Sequence, residues 1–191
     1  MRGIVIMLDK MLIEHCSPTL GGLKTANLFS HPYSSGEELD STISAWNKEL
    51  NPKGVSLYIL CIRGERALVY VCRTSMLEND LQSSGVPEFL MEYGYRKVSP
   101  SYCIEKLRER LQRSPAFPHE IGLFLGYPLE DVRGFIDNAG QNCKCAGYWK
   151  VYCNERETVK LFMKFKKCRE IYINLFENRV RSVLQLTVAV S

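Results

Sequence analysis

An apolar run of the roughly 18 residues that a membrane span requires is missing from this 191-residue chain. The first apolar stretch, Ile4 to Leu8, is closed by Asp9 and Lys10, so no membrane partner is expected. Charge of one sign is scarce as well. Lys and Arg number 25 against 21 Asp and Glu, a formal charge of +4. The one dense basic cluster, Lys160 to Arg169, is interleaved with Phe and Met at helical spacing; it reads as a solvated helix face and not as a nucleic-acid footprint. Repeats, low-complexity tracts and linker-like stretches are absent, and no secretory leader is expected. The eight cysteines are therefore expected to be thiols in a reducing compartment, with the cytoplasm as the expected location. Knuckles of the C-x2-C type are missing too. The intervals between Cys143, Cys145, Cys153 and Cys168 do not suit a structural zinc site, and no metal or other cofactor is expected.

What is present is an ordinary core-forming composition, 46% hydrophobic and 24% charged, enough for one compact domain over residues 1–191 without metal or disulfides. Met7 to Ile13 has helical spacing. Ser17-Pro18 offers an N-cap with proline at the first helical position, which predicts a helix from Pro18 to Phe29; the adjacent Gly21 and Gly22 inside it suggest a close packing contact. A second helix opens at Gly36 with Leu39, Ile43, Trp46 and Leu50 on one face, and Asn51-Pro52-Lys53-Gly54 stops it.

Val55 to Ile62 and Arg66 to Cys72 predict a β-hairpin across Arg63-Gly64-Glu65. Short helices are expected over Ser75 to Gln82 and Pro87 to Tyr93. A stronger one starts at Ser99-Pro100, runs through Cys103, Leu107 and Leu111, and is broken by Pro115 and Pro118. Glu120 to Gly126 reads as a buried strand, Pro128 to Asn138 as a helix, and Tyr148 to Tyr152 as a strand. Asn154, with Glu157 three residues on, reads as a capping box opening a long helix. Val183 to Val190 alternates as a last strand. The order predicts an α+β fold.

Cys61, Cys72 and Cys103 fall in predicted strand or helix cores, where a thiol acts as a small hydrophobe. Cys16 precedes a predicted helix start, where free N–H groups and the macrodipole favour a thiolate and could stabilise an oxyanion. A nucleophilic cysteine needs a base and a group that orients it. His119, at the start of the predicted strand, is the candidate base, with His15 and His31 as rivals. If Gly126 faces Gly147 in an antiparallel pair, His119 lies opposite Asn154, whose side chain could fix the imidazole tautomer. Asp131, Asp137 and Asn138 are substitutes for that third role.

Two resemblances bear on function. His15-Cys16-Ser17-Pro18-Thr19-Leu20, the stretch from Phe117 to Val132, and Gly147 to Tyr152 resemble a bacterial family known mainly as a domain of unknown function. The order of Cys16 at a helix start, His119 before an apolar run ending Gly126-Tyr127, and Asn154 after a following strand resembles the papain-like (clan CA type) cysteine protease fold. That likeness implies helices packed on a small, mostly antiparallel sheet. The papain signature around the cysteine is absent, and no glutamine lies just before Cys16, so the likeness points to transacylating members of thiotemplated nonribosomal peptide assembly and away from proteolysis. The function this implies is acyl transfer through an acyl-thioester on Cys16, from a donor on a carrier protein to a small amine or water. The alternative is a non-enzymatic binding module in which Tyr127, Trp149 and Tyr152 line a ligand groove and Cys16 only packs.

Overall fold

The computed structural model describes residues 2–113 and 116–189, with side chains from residue 8 onward. Among them no helix is long and apolar enough to cross a membrane. The expectations that involve Pro115 and Val190 lie outside the described residues. The fold is mixed α+β, with helices packed on a small antiparallel sheet. The chain divides into two compact units, one formed by residues 1–76 and 168–191 and the other by residues 77–167.

The first unit is built on three strands in the order β1-β3-β2: β1 (Ala26–Pro32), β2 (Val55–Arg63) and β3 (Arg66–Arg73). The expected hairpin is β2–β3, paired from Val55↔Arg73 to Arg63↔Arg66, with Gly64 at φ 58° supplying the left-handed turn. β3 is the central strand, and Val69, Tyr70, Val71 and Cys72 are all buried, as the middle position requires. One sheet face presents Phe29, Val55, Leu57, Ala67, Val69 and Val71 to two helices. From α2 (Gly36–Leu50) come Leu39, Ile43 and Leu50, on the face read from the sequence. From α1 (Arg2–Leu20) come Leu8, Leu12, Cys16 and Leu20, spaced by four along one stripe.

The predicted helix start at Ser17-Pro18 is therefore corrected: these residues lie in the last turns of α1, which ends at Leu20, and the remainder of the segment predicted to be helical turns over residues 21–25 and enters β1 at Ala26. Proline is tolerated there because of a side chain far along the chain. Pro18 has no N–H for the Glu14 carbonyl, and Arg169 Nε donates to that oxygen at 2.7 Å. The end of α1 is closed in two ways. Gly22, at φ 73°, takes the left-handed conformation that terminates helices. The fully buried guanidinium of Arg73 then donates to the Thr19 and Leu20 carbonyls at 2.5 Å each and to Val188 O at 2.8 Å. Gly21 meets the expected close neighbours: a Cβ there would stand 3.0 Å from the Tyr172 hydroxyl and 3.2 Å from Cys168 Sγ. The predicted C-terminal strand is a short helix instead, α9 (Val183–Leu186), opened by a Ser182/Gln185 capping box.

The second unit carries α4 (Val86–Glu92), α5 (Pro100–Arg113), α6 (Ile121–Phe124), α7 (Leu129–Asp137) and a minimal hairpin of β4 (Cys145–Ala146) with β5 (Lys150–Val151). The connecting helices are α3 (Thr74–Leu81), which leads into this unit, and α8 (Glu155–Glu177), which leads out of it. The predicted strand from Glu120 to Gly126 is corrected to α6. Its five-residue apolar run contains no β-branched residue after Ile121, and Leu125 N and Gly126 N close helical bonds back onto Ile121, Gly122 and Leu123. Trp149, Val151 and Phe165 form the buried cluster beneath the hairpin, joined by Tyr127, Tyr148 and Phe162.

Candidate functional site

Cys16 does not stand at a helix start. It is fully buried in the α1 stripe, among the apolar side chains of the sheet face. Burial pushes its thiol well above the usual cysteine value, against a weaker opposing effect of the nearby Lys24 ammonium. A thiol that is neither exposed nor ionised is inert as a nucleophile. Cys16 lies in the first unit and His119 in the second. The rival bases belong to the Cys16 unit, but burial lowers the pKa of both; His15 stacks on Phe29 at 5.8 Å, and His31 Nδ1 lies 3.3 Å from Met11 Sδ.

His119 is in the turn before α6, with its carbonyl accepting from Gly122 N, and is not at the edge of a sheet. The register that would have put Asn154 opposite it does not exist, because β5 pairs with β4. Asn154 sits ahead of α8 at φ 44°, a left-handed conformation unlike the extended one of a side-chain N-cap. It serves α8 through its carbonyl, which accepts from Glu157 N and Thr158 N. Asp137 is exposed, and Asn138 closes the end of α7, its Nδ2 donating to Gly134 O at 2.8 Å.

Of the third-role candidates, Asp131 has a distinct place. Its carboxylate is 2% exposed and accepts three hydrogen bonds: from Trp149 Nε1 at 2.7 Å, Tyr152 N at 2.7 Å and Cys153 N at 2.9 Å. The proline-started α7 thus uses its first turn to pin the strand and the turn that precede α8. Asp131 orients an indole, not an imidazole.

That indole forms one wall of an open cavity of about 330 Å³ in the second unit. Tyr127 stacks on Trp149 at 4.6 Å, and Phe162 meets the same indole edge-on at 4.6 Å, so the ring is fixed on two sides as well as at its nitrogen. Phe135 and His119, 5.3 Å apart, contribute further aromatic lining, with Phe117, Ile121 and Val132. Tyr127 and Trp149, expected from the sequence to line a groove, both line this cavity. Tyr152 is corrected: it is absent from the lining, and its ring packs on Gly134, where a Cβ would stand 2.5 Å from Tyr152 Cγ. Gly122 permits the closeness of α6 and α7, since its Cβ would stand 2.8 Å from Val132 Cγ2. Sequence reasoning missed Phe117, Val132, Phe135 and Lys150. The available signal was a glycine inside each of two helices, a feature that costs roughly 1 kcal/mol each and so marks a close approach.

Among the described residues, no group of three or more His, Cys, Asp or Glu is arranged to hold a metal. Burial pushes the thiol of Cys153 up to about 11, reinforced by its hydrogen bond to Asp131, so Cys153 supplies no ready thiolate either. No curated protein and no solved structure matches the chain. A family profile matches residues 12–187, nearly the whole sequence, which bears out the resemblance to a family of unknown function and leaves the papain-like one unsupported. The chain belongs to the family described as "Protein of unknown function (DUF3793)".

Proposed function

We propose that the second unit is a small-molecule binding module whose ligand inserts a planar, largely apolar group into the cavity beside Trp149. The observation that carries this reading is the preorganised aromatic wall. Trp149 is held at its nitrogen by a buried carboxylate and on its ring by Tyr127 and Phe162, while the cavity itself stays open at about 330 Å³. Ligand sites are typically concave, mostly apolar and pre-formed, starting near 300 Å³. A rigid wall limits the ordering cost of binding, and a flat ring is the shape that stacked aromatics accept. Acyl transfer through Cys16 receives no comparable support, because that thiol is sealed in the core of the other unit.

Indole is a suitable probe. Titrated into the protein, it is expected to raise the melting temperature and to change Trp149 emission. Phe117→Ala, at a lining residue that is 44% exposed and therefore carries little of the core, is expected to weaken indole binding several-fold. The reading fails if indole at millimolar concentration moves neither signal.

A further inference from the structure

Taking the cavity as a ligand site, we infer that its ligand also carries an oxyanion, a carboxylate or a phosphate, bound across the rim formed by Phe117, Pro118 and His119. The charged groups around that rim are unequal in access. Asp131 lines the cavity, but it is buried and already accepts three N–H bonds. The exposed ionisable residues of the same lining are His119 and Lys150. Lys150 Nζ donates to Gly140 O at 2.6 Å and lies 5.9 Å from the Phe135 ring centre, which holds an ammonium at the cavity wall.

Across the rim lies a second open cleft, of about 450 Å³, that shares Phe117, Pro118 and His119 with the first. Its other wall carries Lys106, Arg110 and Arg113. These positions, four and three residues apart on α5, share one helix face. The carboxylate lining this cleft is Glu120, which is fully buried; it pairs with Arg110 Nε and accepts from Tyr95 Oη at 3.2 Å. Glu120 thereby anchors the Arg110 guanidinium, whose Nη1 donates to Tyr93 O at 3.2 Å. Glu109 lies 3.1 Å from Lys106 and 3.9 Å from Arg113, but its side chain is 51% exposed, so water screens both pairs. A ligand seated in the apolar cavity thus meets cationic side chains on both sides of the rim, while the carboxylates lining the two clefts are buried. Asp131 is held by three N–H donors, and Glu120 is paired with Arg110 through Oε1, its Oε2 being sealed from solvent without a hydrogen-bond partner among the described residues. An aromatic ring carrying an oxyanion satisfies both halves, and a cationic ring does not.

Four probes that share one ring test this: indole, indolepropionate, indoxyl phosphate and tryptamine, titrated into the intact chain at low salt and again at high salt. At low salt, at least one of the two anions is expected to bind about fivefold or more tighter than tryptamine, with the preference shrinking as salt is raised. The tighter of the two identifies the oxyanion. In Lys106→Ala/Arg113→Ala the ratio of anion to tryptamine affinity should fall towards one. An anion preference below about fivefold, equal or tighter binding of tryptamine, a preference that salt does not reduce, or one that the double variant leaves unchanged overturns the inference; in each case indole binding leaves the cavity reading intact. Failure of all four probes to bind overturns the cavity reading and this inference with it.

Discussion

Asp131 and Cys16 have opposite fates that follow from their surroundings. A carboxylate with 2% exposure is tolerated only because three N–H donors replace its hydration. Asn at this position keeps the shape but turns one acceptor into a donor, which must face either the Trp149 N–H or the N–H groups of Tyr152 and Cys153. Asp131→Asn is therefore expected to cost about 2–3 kcal/mol and to shift Trp149 emission; urea denaturation followed by fluorescence in a Trp46→Phe background measures both. A loss below about 0.5 kcal/mol would show that the clamp contributes little. For Cys16, burial governs reactivity. Iodoacetamide under native conditions should label the half-exposed Cys143 and Cys145 and spare Cys16, which should react only once the chain is unfolded; peptide mapping distinguishes them. Native labelling of Cys16 at the rate of Cys143 would contradict its sealed position.

The close contact between α7 and the Tyr152 ring pits two effects against each other. Gly134→Ala gains roughly 1 kcal/mol of helix propensity. The added Cβ, however, would stand 2.5 Å from Tyr152 Cγ and 2.6 Å from its Cβ, a clash worth about 1–3 kcal/mol when the neighbour is held in place. Tyr152 is held: its backbone N–H is bound to Asp131, a carboxylate on the same helix. The clash should win, so the variant is expected to melt lower than the parent chain in a thermal scan; a higher melting temperature would mean that the ring moves freely. The elements themselves were unevenly legible. The β2–β3 hairpin, α2, α5 and α8 could be read because periodicity and turn chemistry agree locally. The end of α1 could not: Leu8, Leu12, Cys16 and Leu20 signal one continuous stripe, but Ser17-Pro18 is also a good helix start, and what decides is Arg169, some 150 positions away. In α6 the short apolar run Ile121 to Leu125 fits a strand or a buried helix equally well. Within the site, Tyr127 and Trp149 stood out as aromatics, whereas Val132 and Phe135 acquire meaning only once α7 is packed against α6.

On the scale of the whole chain, a net charge of +4 leaves little global repulsion, so the pH dependence of stability rests on individual groups with shifted titration. Asp9 in α1 is one. Its Oδ1 is buried without a hydrogen-bond partner among the described residues, and burial raises its pKa from 3.8 to about 6. A carboxyl that holds its proton more tightly when folded stabilises the fold below the unfolded value. That advantage is lost as pH rises from about 4 to about 6, and above that the ionised group is a standing penalty. Asp9→Asn removes the penalty without changing the shape. Because the side chain is only half-buried, solvent screening reduces the expected gain to about 1 kcal/mol, or roughly 2–4 °C for a chain of this size. Melting temperatures taken across the range should show Asp9→Asn above the parent chain near neutrality and level with it near pH 4. A difference that stays constant with pH would mean that something other than the ionisation of Asp9 sets its contribution.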